Sequence, residues 1–221
     1  MMAVDPENRS RNLEYLTEAI GVRLAGMSGE AAAADYLLKE FEAMGISAWL
    51  EEFPVTTWDV QSQELQFYHG GDWHAVGCSL FAKTPGKEGE WVDAPLVFFE
   101  GATGYQREDL SSLLADKIVI HLGCHIEAQE NYRRLIEANP VGLLMVDDRF
   151  TGAEPLADAI FPTYAANCGT VPTLNLAFQE AWSCQEKKAS RARFRVVGVH
   201  VLPDQPMWWP SCRGATRRQE S

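Results

Sequence analysis

The chain has 221 residues, 46% of them hydrophobic and 23% charged, a globular balance, and a chain of this length buries roughly 70% of its unfolded surface without help from disulfides or a structural metal. No apolar run approaches the ~18 residues of a membrane span, the opening MMAVDPENRSRNLEYL has no apolar leader, and the five cysteines, at 78, 124, 168, 184 and 212, form no CxxC pair, so a cytoplasmic protein without membrane contact is expected. The net charge of −12 divides into −17 over residues 1–182 and +5 over 183–221, and an acidic body argues against nucleic-acid binding, which needs a positive face.

Residues 12–20 predict a short helix with Leu13, Leu16 and Ile20 on one face, stopped by Gly21. A second helix follows Ser28, a candidate N-cap. Its stripe is Ala34, Leu37, Leu38, Phe41 and Met44, and Gly45 stands where a left-handed C-cap belongs. Residues 46–53 then read as a strand ended by Pro54. This piece is too short to bury its own stripe and must pack on something else.

From Pro54 the pattern turns to short strands. Val60, Leu65 and Phe67 lie in one, and His69-Gly70-Gly71-Asp72 is a hairpin turn. Residues 74–82 and 95–100 are further strand candidates, and 83–90 is a polar loop. Residues 116–122 (DKIVIHL) are a strong strand and 127–138 a helix. Residues 141–146 are apolar on both faces, as in a central strand. A strand at 171–178 leads to a helix at 178–188. In 192–202, Phe194 and Val196 alternate with Arg193 and Arg195, following Arg191. The arginines read as a solvated strand face; the alternative is an anion patch with Lys187 and Lys188.

The run IGVRLAGMSGEAAAADYLLKEFEAMGISAWLEEFPV, with Arg23, Gly26, Gly29 and the Gly45-Ile46 turn, resembles the lead-in of the di-zinc aminopeptidase and carboxypeptidase family that includes glutamate carboxypeptidase and the transferrin receptor ectodomain. The later runs PLVFFEGATG, DLSSLLADKIVIHLG, EANPVGLLMVDD and TVPTLNLAF are similar to a protease-associated domain, with Asn139-Pro140-Val141-Gly142 in place of the usual Ala-Gly-Ala. The resemblance implies an α+β chain. Residues 1–56 would be a helical lead-in belonging to an α/β zinc-peptidase domain. Residues 57–203 would be a protease-associated β-sandwich or barrel-like domain with flanking helices, shaping substrate access or protein contacts. The parent would hydrolyse peptide bonds at chain ends with two zinc ions held by His, Asp and Glu, one ligand set including an H-x-D motif. No H-x-D occurs in these residues. Glu51-Glu52 reads as solvent-facing charge, so no catalytic residue carries over, and the chain alone is expected to be inactive. Its partners would be a peptide or protein substrate, or a second copy through the lead-in helix. The alternative is a stand-alone peptide- or protein-binding module.

Residues 204–221 have no periodicity and are expected to be irregular. Met207-Trp208-Trp209 must be encoded ATG TGG TGG, and read from the third base the stretch can spell Asn-Val-Val-Ala-Glu-Leu-Pro-Gly, the strand the family carries at this point. The expectation is therefore a frameshift after Pro206, with 207–221 read out of frame and the chain truncated before its catalytic domain.

His121, Cys124 and His125 are the one local cluster with metal-like chemistry, with Cys78 or Cys168 as a possible fourth ligand. The plainer reading is a strand terminus with a polar loop and a buried cysteine. Asp147-Asp148 follows a buried strand and reads as its solvated exit, or as a carboxylate site. Serine nucleophile elbows and phosphate loops are absent from the sequence.

Overall fold

A computed structural model describes residues 5–59, 62–82, 89–123, 125–155, 158–197 and 200–212, with side chains except at 56–59, 82, 158, 162 and 200–212. The chain divides into two compact units: residues 1–57 with 201–221, and residues 58–200.

The first unit opens with α1 (Pro6–Glu14), capped by Asp5, whose carboxylate accepts from the Glu7 amide, with Pro6 at the first helical position. The helix widens into a π-helical turn over Tyr15–Ile20 and stops at Gly21. Arg23 folds back to donate to the Leu16 and Gly21 carbonyls, satisfying acceptors that the helix end leaves free. Helix α2 (Ser28–Ala43) begins at the expected cap itself, one residue early: Met27 occupies the N-cap position and Ser28 the first turn. Its end is as expected, with Gly45 at φ +72°. Ala33 and Ala34 are buried, whereas Met44 is exposed. Strand β1 (Ala48–Asp59) runs straight through Pro54. It forms a two-stranded sheet with β11 (His200–Cys212). A proline is tolerated where its missing N–H faces no partner, and every strand of a two-stranded sheet has such a side. The stretch 204–212, expected to be irregular, is strand, because the polar backbone groups of β1 find partners there.

The second unit holds β2 (Ser62–His69), β3 (Asp72–Val76), β4 (Cys78–Ala82), β5 (Val92–Glu100), β6 (Ile118–Leu122), β7 (Gly142–Val146), β8 (Asp158–Ala159), β9 (Thr173–Leu176) and β10 (Arg191–Val197). They form one sheet in the order β3-β2-β10-β5-β6-β7-β9-β4-β8. Strands β5, β6, β7 and β9 are mutually parallel, and antiparallel strands flank them. The sheet curls until β2 and β4 come side by side, where Gln63 Nε2 donates to the Cys78 carbonyl at 3.4 Å. Of the two expected forms, the sandwich does not form; a single sheet nearly closes on itself. The turn at Gly70-Gly71 has both φ angles positive, as a tight two-residue hairpin requires, and aligns His69 with Asp72. Residues 74–82, expected as one strand, break at Gly77 into β3 and β4.

Alternation sorts the strands into two cores. Leu65, Phe67, Ile118, Ile120, Leu144, Val146, Leu174 and Phe194 fill the inside of the curl. Val119, Leu143 and Met145 face outward against α4 (Leu110–Leu114) and α5 (Gln129–Glu137) through Leu114, Tyr132 and Leu135. Each such side chain contributes roughly 1.5–3 kcal/mol by burial. Helix α7 (Phe178–Glu186) adds Ala181 and Cys184 to the inner core. Two further short helices, α3 (Gly101–Gly104) and α6 (Pro162–Cys168), complete the unit. Among the described residues no helix is long and apolar enough to cross a membrane.

Candidate functional site

Parallel strands β5, β6 and β7 end together, and the loops leaving them enclose a cleft of about 380 Å³. It is lined by Gly101, Ala102, Tyr105, His121, Gly123, His125, Ile126, Glu127, Asn131 and Asp148. This edge is where α/β sheets present loops and helix starts to ligands.

His121 forms the floor. It stands on β6 one residue beyond Ile120, so alternation turns it to the outer, helix-covered face, and it is 1% exposed. Tyr105, on the turn after α3, places its hydroxyl 2.7 Å from His121 Nε2. The Arg134 guanidinium on α5 holds that turn by donating to the carbonyls of Tyr105 and Arg107. The sequence GATGY is dictated by this packing. A Cβ at Gly101 would lie 2.6 Å from His121 Cε1, and one at Gly104 would lie 2.4 Å from the Phe99 ring. Burial holds the His121 imidazole down at about 4, against the smaller opposing pull of the backbone at His121 and Gly123. The ring is therefore neutral at physiological pH. Burial likewise pushes the Tyr105 hydroxyl well above its usual range, so this is a pair of neutral groups.

His125 and Asp148 are exposed at the rim and Glu127 is exposed beside them. Asp147 is engaged elsewhere: Arg149 bonds both its oxygens, at 3.0 and 2.7 Å, and holds its carboxyl below the usual range. Cys124 lies outside the described residues. Cys78 packs against the inner core, on the opposite face of the sheet from His121. Its thiol is pushed up to about 11 by burial and supplies no thiolate at neutral pH. Cys168 closes α6, packed against the outer core. Among the described residues, no three His, Cys, Asp or Glu side chains converge where they would share a metal ion. They do not fit a di-zinc centre, and no chemical step here runs through one.

The arginine face of β10 is spoken for. Arg191 pairs with Asp93 at 2.7 Å and Arg195 with Glu64 at 2.5 Å. Arg193 donates to Gln66 and lies 4.4 Å from the Trp73 ring centroid and 4.8 Å from that of Trp91. These contacts build a cross-strand ladder rather than an anion patch. Glu51 and Glu52 are exposed on β1. Sequence reasoning picked out His121 and His125 as one cluster with Cys124, and Asp148 with Asp147 as a strand exit, but missed Tyr105 on the turn after α3, Glu127 on the loop after β6 and Asn131 on α5. The one available signal was the glycine spacing of GATGY, which marks a close approach of backbone to a bulky neighbour.

No family model matches the chain, and no curated protein does. Solved structures do. BSAP, a zinc aminopeptidase from Bacillus subtilis, superposes with a TM-score of 0.65 at 13% identity, covering 95% of this chain and 47% of its own. A peptidase M28 precursor from Shewanella amazonensis gives 0.66 at 15% identity, over 90% of this chain and 48% of its own. An aminopeptidase from Aneurinibacillus sp. strain AM-1 gives 0.53 at 18%, over 96% and 49%. The likeness is one of fold, and this chain spans about half the length of the structures it matches.

Proposed function

We propose that these residues are the non-catalytic lead-in and protease-associated part of a zinc-dependent exopeptidase. In this reading the lead-in is 1–56 and the protease-associated domain 57–203. That domain shapes access of a peptide or protein substrate, and hydrolysis belongs to a di-zinc domain outside these residues. The observation that carries the proposal is the likeness to BSAP, which takes in 95% of this chain but 47% of the enzyme. The out-of-frame origin of 207–221 is part of the same proposal.

Two measurements test it. The purified chain, supplied with zinc and aminoacyl-p-nitroanilides, is expected to give no turnover; turnover that a chelator removes would sink the non-catalytic reading. The nucleotide sequence after codon 206 is expected to encode an H-x-D strand end in another frame. A gene with nothing related there favours the second reading, a stand-alone binding module. That alternative draws support from the cleft at the ends of β5–β7, which lies wholly within the second unit.

A further inference from the structure

The β2–β3 hairpin carries a pair of rings that neither the cleft nor the inner core uses. His69 and His74 stack across the two strands, with ring centroids 3.9 Å apart and planes 6° from parallel. Alternation puts them on one face, because His69 lies opposite Asp72 and His74 opposite Phe67. On the other face Tyr68 and Trp73 meet at 5.3 Å, and the Arg193 guanidinium lies 4.4 Å from the Trp73 ring centroid. His69 is half-buried and His74 exposed, so solvent protons reach both.

Two neutral imidazoles stack without electrostatic cost, and an imidazolium lies on a neutral ring as a cation on a π face. Two imidazolium rings at this spacing repel. Partial burial, then the charge of His74, then that of Lys187 at the carboxyl end of α7 hold the His69 imidazole below its ordinary value. On this face of the two strands Asp72 supplies a single carboxylate, exposed at the turn. The tip can move without disturbing the core. Gly70 and Gly71 turn it with positive φ, and a Cβ on either would meet nothing within 4 Å. Leu65 and Phe67, further along β2, stay anchored in the inner core. Between these regions the Ser190 amide donates to the Tyr68 carbonyl at 3.1 Å.

We propose that the His69–His74 stack is a proton-operated latch on this hairpin, holding the tip closed while no more than one ring is charged and releasing it when both are. Release parts Trp73 from Arg193 and loosens the outer ladder at its β3 end. The open tip takes up protons that the closed one refuses. The closed form is therefore favoured above the ordinary histidine value of 6.5 and gives way as the pH falls below it. The latch stands apart from the peptidase reading and survives its failure.

The test is an NMR pH titration of the isotope-labelled full chain from about pH 7.5 to about pH 5, spanning the histidine range. It follows the His69 and His74 ring signals, the Trp73 indole N–H and the exchange of the amides that pair β2 with β3. In the parent the two rings are expected to titrate as a coupled pair. Protection at the tip, corrected for intrinsic exchange, is expected to fall roughly tenfold across the range. His74→Gln is expected to raise the His69 titration by about half a pH unit or more and to remove most of the pH response at the tip. His69→Gln is expected to remove that response as well, and Lys187→Gln to raise the His69 titration while leaving the coupling in place. Amides of β6 and β7, whose exchange follows global unfolding, are expected to respond to pH alike in parent and variants. A His69 titration unmoved by His74→Gln, tip protection that does not change with pH, or the same pH response at the tip in parent and His74→Gln would each overturn the latch.

Discussion

At the scale of single residues, the most consequential group is an imidazole with no room to become charged. His121 titrates at about 4 in the folded chain, against 6.5 in its ordinary state. Between those values the unfolded chain takes up a proton that the folded one refuses. Stability is therefore fully present above about pH 6.5 and falls as the pH is lowered toward 4, by up to about 3 kcal/mol from this group. Urea unfolding at pH 7, 5.5 and 4 is expected to show this loss, and His121→Gln to flatten the slope relative to the parent. Tyr105→Phe removes the hydroxyl and leaves Nε2 buried and unsatisfied. A destabilisation of about 1–3 kcal/mol is expected at pH 7, and an unchanged denaturation midpoint would show that the 2.7 Å contact contributes nothing. Sequence alone offered His121 as a possible ligand or as an ordinary strand residue. What separates these is the direction in which its neighbours pack, and that direction is not written in a five-residue window.

At the scale of elements, β7 and β10 are locked by a glycine under a ring. A Cβ on Gly142 would meet Phe194 at 2.6 and 2.7 Å. Gly142→Ala is expected to cost about 1–3 kcal/mol through overpacking. Adding Phe194→Leu should recover part of that loss, a coupling that calorimetry of the single and double variants reads directly. On the outer face of β10, Arg193 lies against both Trp73 and Trp91. Arg193→Lys retains the charge but loses the flat guanidinium and its paired donors to Gln66, so a loss of about 1 kcal/mol is expected. Thermal melts of this variant that match the parent would count against the ladder. Much of this layer was legible. The apolar run at β7 marks a strand buried on both faces, and Gly70-Gly71 marks the hairpin. Pro54 misled, because the rule that proline ends strands holds only where its absent N–H would face a neighbour.

At the scale of the whole molecule, the first unit carries Leu13, Val22 and Met44 at 63, 85 and 59% exposure. Apolar groups left in water favour association. Sedimentation of the full chain is expected to show concentration-dependent self-association. Limited proteolysis is expected to cut first within or beside 1–57, leaving a resistant fragment within 58–200. Cleavage beginning inside β5–β7 would contradict that order.

Local pattern, by itself, determined most of the strands and the helices α2, α5 and α7, since alternation, helical spacing and glycine placement act within a few residues of chain; the short helices α3, α4 and α6 and the strand β11 were not legible that way. It also carried a resemblance to zinc aminopeptidases, whose solved structures share the fold. Only the tertiary structure decided that the strands form one curled sheet rather than two facing ones. It alone brought Tyr105, His121, Glu127 and Asp148 to one cleft and set the β10 arginines against acids and tryptophans. These are contacts between residues far apart along the chain. They depend on how buried area and hydrogen-bond partners are shared across the whole fold, which no local period encodes.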